Sequence, residues 1–192
     1  MTRCSDAPTP DLMPLLLAEA GVRTGDRILD VGCGDGSLVD ALCGSGYDAY
    51  GIDDDAIESK RTIAQPPAAG VGVESASVRL AIVRGGSGLR PGELSFETHV
   101  AMANVVAALS GNGVIALFGR DETESPLLAD YGMDVAFTPL CVRPGLVGRL
   151  LGRKGPEVGA ILLGRMPGSP LSKLECHAIA RTASQPAIRR AA

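Results

Sequence analysis

Arg27-Ile28-Leu29-Asp30-Val31-Gly32-Cys33-Gly34-Asp35-Gly36-Ser37 joins an apolar run to a turn in which every second residue is glycine. Ile28, Leu29 and Val31 predict a buried strand, which Asp30 interrupts near its end. Ser37 then opens an apolar stretch compatible with a helix. A strand that turns through glycines into a helix is a ligand-binding device. Glycine admits tight backbone angles, and the missing side chains let a ligand lie against the main chain. In an open α/β sheet such a turn falls at the carboxyl ends of the strands, where ligands bind.

The spacing separates two kinds of nucleotide site. A dinucleotide fingerprint, G-x-G-x-x-G, needs glycine where this chain has Ser37, and the third glycine comes one residue early, at Gly36. Asp30 and Asp35 flank the turn and disfavour a doubly anionic pyrophosphate, whereas a ligand with cationic groups suits them. About 20 residues past the first glycine, Tyr47-Asp48-Ala49-Tyr50-Gly51-Ile52-Asp53 reads as a second strand ending in an acid placed to accept hydrogen bonds from ribose hydroxyls.

Asp30, Gly32, Gly34 and Gly36 together resemble motif I of the class I S-adenosylmethionine (SAM) dependent methyltransferases. The lead-in Ala20-Gly21-Val22 followed by Gly25-Asp26-Arg27 is similar to that family too. The resemblance implies a doubly wound, Rossmann-like α/β sheet, mostly parallel with an antiparallel last strand. It also implies SAM as cofactor. Asp30, Gly32, Cys33, Gly34 and Gly36 would hold the methionine end, with Asp30 on its ammonium. Asp53 and Asp54 would lie beside the ribose, and Glu74 near the adenine. The first turn of the helix after Ser37 would offer N–H groups to the carboxylate of the same ligand.

The remaining elements follow in order. A short helix through Leu15–Ala20, capped by Thr9 or Asp11, precedes the first strand. After Asp53 the pattern predicts a helix through Ile57, Ile63 and Ala64, ended by Pro66-Pro67. The third strand would be short, at Val71-Gly72-Val73-Glu74, and the fourth runs from Val78 to Val83. A long helix from about Leu94 to Leu109 stops at Ser110-Gly111-Asn112-Gly113, and Val114–Phe118 is a continuous apolar strand of the two-sided buried kind. A short helix to Tyr131 and strands near Met133–Phe137 and Val158–Leu163 complete the sheet. The domain spans residues 11–165, between a flexible segment at 1–10 and a flexible tail at 166–192.

Composition narrows the function classes. Hydrophobic residues make up 45% and charged residues 21%, a globular balance, and aromatics only 3%, which disfavours stacking on single-stranded nucleic acid. No apolar run is long enough for a membrane span, and Met1–Asp6 leads into no secretory leader. The five cysteines form no C-x-x-C pair, and with only two histidines no metal-ligand cluster is expected; a reduced, cytoplasmic protein is the simpler reading. Cys33 is read as a small loop residue before a nucleophile. Residues 1–60 carry 12 acids against 4 bases, while 143–192 carry 9 bases against 2 acids, a split that a solvated surface explains as simply as an anionic partner. The basic connection between Leu140 and Pro156 is read as structural. Arg84, just past the fourth strand, is either a clamp for an acidic substrate or a solvated loop residue. His99 is a titratable residue without a visible partner.

The expected activity is methyl transfer from SAM to an unidentified acceptor, a small molecule among the candidates, by in-line displacement. The alternative is a non-catalytic SAM-binding or degenerate methyltransferase-like module, motivated by the shortened region after Asp53. A nicotinamide enzyme is disfavoured by Ser37 and the two loop carboxylates.

Overall fold

The computed structural model describes residues 12–84, 95–118, 128, 131–141 and 157–166. Helix α1 (Met13–Glu19) leads into strand β1 (Arg27–Val31), the glycine turn, helix α2 (Ser37–Gly44) and strand β2 (Asp48–Asp53). Strand β3 (Thr62–Ala64), a single 3-10 turn at Pro67–Ala69, strand β4 (Val78–Val83) and helix α3 (Phe96–Ala108) follow. Strands β5 (Leu109–Leu117), β6 (Asp134–Cys141) and β7 (Glu157–Arg165) end the described chain. They form one sheet in the order β3-β2-β1-β4-β5-β7-β6. The first five strands are parallel neighbours, and β7 runs antiparallel between β5 and β6.

Period-two alternation divides the sheet between two cores. Ile28, Leu80, Ile82, Val114 and Ala116 face α1 and α2, where they meet Leu12, Leu16, Val39 and Leu42. Leu29, Val31, Ala81, Val83, Ile115 and Leu117 face the other way, onto Ala101, Met102 and Val105 of α3. Both faces are covered, so the central strands read as unbroken apolar runs. The end of α1 is tied to the sheet by two arginines. Arg79 of β4 donates to the Ala20 carbonyl at 2.8 Å, and Arg165 of β7 donates to the Glu19 carbonyl at 3.1 Å. Cations at a helix C-terminus satisfy its orphan carbonyls and complement its dipole.

Four expectations are corrected. The residues after Asp53 do not form a helix. Asp53 Oδ1 accepts the Asp55 N–H at 3.1 Å, which turns the chain at once, and Thr62 Oγ1 donates to the Ile57 carbonyl at 2.5 Å. Side-chain bonds of this kind offer the backbone an alternative to helix. The third strand is therefore Thr62–Ala64, paired with Gly51–Asp53, and not Val71–Glu74. Residues 71–74 lie in the connection to β4, with Val71 buried in the core below α3. Asn104 of α3 holds this connection by donating to the Pro67 and Ala68 carbonyls at 3.0 and 3.1 Å.

The N-cap of α1 is Leu12, without a side-chain cap, and Pro14 occupies its first turn. Strand β5 starts at Leu109, so the glycine-rich stop Ser110–Gly113 belongs to the strand. Its register against β4 shifts between Val78 and Leu80. A Cβ at Gly113 would sit 2.8 Å from Leu109 Cβ and 3.0 Å from the Val78 carbonyl, which is why the irregularity carries glycine. The expected short helix before Tyr131 lies outside the described residues apart from Leu128, as do the first terminal segment, the tail beyond Met166 and the basic connection beyond Leu140 and Cys141.

Helix α2 approaches the sheet over Gly51. A Cβ there would lie 2.8 Å from both Cβ and Sγ of Cys33 and 2.9 Å from Val39 Cγ2. Gly51→Ala should therefore overpack this contact and cost about 1–3 kcal/mol. The expected reading is a lower urea midpoint with an unchanged m-value.

Candidate functional site

The glycine turn sits at the carboxyl end of β1, between β2 and β4. Gly32, Gly34 and Gly36 adopt φ values of +85°, +56° and +78°, a region closed to most side chains. Three of its N–H groups are held from the end of β2. Gly32 and Cys33 donate to the Ile52 carbonyl at 2.8 and 3.3 Å, and Gly34 donates to Asp53 Oδ2 at 3.0 Å. Asp35 Oδ1 accepts the Ser37 N–H at 3.0 Å. That N–H, expected to face a ligand carboxylate, is thus bonded to a side chain of the turn itself, and the bond holds the exposed Asp35 carboxyl below its ordinary value.

Among the described residues nothing lies within 4 Å of where a Cβ of Gly34 would stand, so none of them fills the space beside the middle of the turn. Gly36 is different: its Cβ would meet Thr62 Cγ2 at 3.0 Å. Thr62 also bonds Ser59 Oγ at 2.8 Å, and Ser59 N donates to the Thr62 carbonyl at 3.0 Å. The 54–61 connection is thereby folded back on itself beside the turn. It presents Ile57 with 71% of its surface exposed. Neither Thr62 nor Ile57 carries a pattern that sequence reasoning could have assigned to the site, because their positions follow from where β3 pairs.

Asp30 is fully buried. Arg84, the residue after β4, donates through Nε to Asp30 Oδ1 at 2.9 Å and through Nη2 to Oδ2. The backbone N–H of Arg84 donates to the Val31 carbonyl at 3.1 Å, so its Cα is anchored to β1 as well. The pairing follows from register. Asp30 lies opposite Ile82, and Arg84 is two residues further along on the same face. Arg84 is thus neither a solvated loop arginine nor, in this conformation, directed only outward.

Burial pushes the Asp30 carboxyl above its ordinary value; the hydrogen bond and charge of Arg84 pull against that, and the nearby Asp53 charge adds to the rise. Arg84 keeps 18% of its side chain exposed, so its own burial is outweighed by Asp30 and its guanidinium is held charged. Both directions have one origin: the carboxylate has lost all of its water and the guanidinium only part.

Among the other predicted site residues, Asp53 is half-buried on the turn, whereas Asp54 is exposed where the chain leaves β2. Glu74 is exposed in the connection before β4, where its carbonyl accepts the Ser77 hydroxyl. Cys33 points inward onto Gly51, and burial, with the charges of Asp30 and Asp53, pushes its thiol up to about 11. His99 lies on α3, and its backbone carbonyl accepts the Tyr131 hydroxyl at 2.7 Å.

The sheet order, the antiparallel β7 and the glycine turn after β1 define the class I SAM-dependent methyltransferase fold. Residues 14–82, the portion that builds the turn and its walls, match the family model described as Methionine biosynthesis protein MetW. No curated protein matches the sequence. Solved structures agree on the fold at low identity. The 1,6-didemethyltoxoflavin-N1-methyltransferase of Burkholderia thailandensis, solved with 1,6-didemethyltoxoflavin and S-adenosylhomocysteine, superposes with a TM-score of 0.57 at 15% identity, over 84% of this chain and 79% of that one. The precorrin 8w decarboxylase of Methanobacterium thermoautotrophicum gives 0.53 at 20%, over 86% and 99%. A TehB-like SAM-dependent methyltransferase of Corynebacterium glutamicum gives 0.52 at 20%, over 78% and 83%. Among the described residues no helix is long and apolar enough to cross a membrane.

Two outcomes follow from these environments. Arg84→Met should strand the buried Asp30 carboxylate and cost about 3–5 kcal/mol at neutral pH. Without its partner the folded-state pKa of Asp30 should rise further above the ordinary carboxyl value that the unfolded chain has. Native protein then holds a proton that unfolded chain has released, so stability falls as pH rises through that window and recovers on acidification. Urea titrations of the variant and the parent across that range measure it. Cys33, for its part, should be alkylated by iodoacetamide at pH 8 at least about tenfold more slowly in the folded protein than in urea, because so little of it is thiolate. Peptide mass spectrometry against time reads the difference.

Proposed function

We propose that this protein is a SAM-dependent methyltransferase that moves a methyl group to a small-molecule acceptor. The observation that carries the reading is the glycine turn: no described residue fills the space beside Gly34, and the Asp53 carboxylate accepts the Gly34 N–H. A side chain at Gly34 would project into that space. The two acids suit a cationic nucleoside, since Asp53 is near enough for its charge to raise the pKa of Asp30. Gly32, Gly34 and Gly36 would admit the amino-acid end against the backbone, Asp53 and Asp54 would meet the ribose hydroxyls, and Asp30 the ammonium. Cys33 would contribute its backbone only, and Glu74 would reach the adenine from the connection before β4.

SAM supplies a methyl group on a sulfonium, which is its own leaving group. The protein's part is alignment and exclusion of water. The rigidity of the turn serves the first: its N–H groups are already bonded to Ile52 and Asp53, so it needs no rearrangement to present the open space at Gly34. Cys33 is held as a thiol and takes no part as a nucleophile. That one structure of similar fold, the Burkholderia thailandensis N1-methyltransferase, was solved with S-adenosylhomocysteine and 1,6-didemethyltoxoflavin supports both halves of the proposal.

A second reading, a SAM-binding module without turnover, is favoured by one feature: β3 has only three residues, so the wall beside the turn is a loop rather than a helix and strand. Isothermal titration with SAM and S-adenosylhomocysteine, followed by transfer of radiolabelled methyl to a small-molecule extract, separates the two. Methyl transfer supports the enzyme; binding without transfer supports the module; failure to bind either nucleoside sinks both. Asp53→Asn, which keeps the shape but weakens the acceptor, should lower SAM affinity by about tenfold, the worth of roughly one charge-assisted hydrogen bond.

A further inference from the structure

We propose that Arg84 and the ammonium of the methyl donor compete for the single carboxylate of Asp30, so that loading the donor exchanges one cation for another. The inference rests on the methyl-donor reading above and adds to it a specificity-determining residue that the glycine motif does not contain.

Three observations lead there. Asp30 has no exposed surface, and both of its oxygens are engaged by Arg84, Oδ1 by Nε at 2.9 Å and Oδ2 by Nη2. Arg84 is the partly exposed member of the pair, so solvent and solutes reach its side chain and not Asp30. Its backbone N–H is pinned to the Val31 carbonyl at 3.1 Å, so an exchange at Asp30 is a movement of the side chain and not of the strand end.

The energetics favour exchange over simple opening. A buried carboxylate stripped of its partner is strongly destabilising, which keeps the fraction of protein with Arg84 released small until another cation arrives. An arriving ammonium removes that penalty, since the carboxylate is paired before and after. The donor's apparent affinity is then its intrinsic affinity reduced by the fraction of protein in which the fork has let go. A nucleoside without the amino-acid end, such as 5′-methylthioadenosine, makes no demand on Asp30 and escapes this reduction. Arg84 therefore narrows the difference in affinity between SAM and neutral nucleosides, and its strength as a competitor sets how much.

Arg84→Lys tests this directly. Lysine keeps a cation near Asp30 and loses the bidentate fork. SAM should bind at least about fivefold more tightly to this variant than to the parent, with 5′-methylthioadenosine unchanged within about twofold. Nitrogen-15 spectra of the arginine Nε–H groups in the unaltered protein give an independent reading. The resonance missing from the variant belongs to Arg84, and it should move toward the position of a solvated arginine on adding SAM but not 5′-methylthioadenosine. Weaker binding of SAM by the lysine variant with the neutral nucleoside unaffected would mean that Arg84 holds the donor, and would overturn the exchange. So would an Arg84 resonance that stays in place at saturating SAM. Binding of neither nucleoside by parent or variant overturns the methyl-donor reading itself, and the exchange with it.

Discussion

A carboxylate with no access to water, at the end of a central strand, must face a cation. That constraint organises the functional end of this molecule. Asp30 cannot be solvated, so the first residue past β4 has to be a donor within reach, and Arg84 meets it with a two-pronged bond. The bond in turn requires that β1 and β4 be neighbours and that their registers place residues 30 and 84 on one face. A slip of one residue would send the guanidinium to the α3 side and leave the acid alone. The parallel pairing of the two strands and the location of the charge are therefore one requirement seen at two scales.

The glycine turn that follows is stiff for a different reason. Glycine usually signals freedom, but here the positive backbone angles are locked by bonds from the next strand. The Ile52 carbonyl takes two N–H groups and the Asp53 carboxylate a third. Gly51 lets Cys33 and Val39 come close enough for those bonds to form. A ligand meeting such a turn pays little ordering entropy, which is the usual advantage of a preformed cradle. The same closeness explains the inert thiol: a sulfur pressed against a strand and flanked by two acids has no reason to ionise.

The region between β2 and β4 shows how local signals lose to tertiary ones. Asp54, Asp55, Ile57 and Ile63 have a spacing that suits a helix, and Pro66-Pro67 an appropriate stop. The chain instead uses its polar side chains to make turns, through Asp53 onto Asp55 and Thr62 onto Ile57 and Ser59. It then lends three residues to the open edge of β2, where every backbone bond made is a net gain for an otherwise unpaired strand. The anchoring of the 67–69 turn by Asn104, and of residues 76 and 77 by the last carbonyls of α3, replaces the packing that a longer helix would have provided.

What the chain order alone determined was the frame: a strand, a glycine turn, a helix and an acid-terminated strand, then a long helix and two-sided strands. Those signals are local, written as periodicity, glycine spacing and the two-faced burial of parallel strands. The acids Asp30 and Asp53 were legible for the same reason, as charges at the ends of apolar runs. What only the tertiary structure decided was which partner each acid has. Arg84 lies 54 residues from Asp30, and their meeting depends on strand order and register, which no local pattern records. The place of β3 was likewise settled by a vacant sheet edge, because hydrogen-bond satisfaction across strands outweighs the weak helical preference of one short segment.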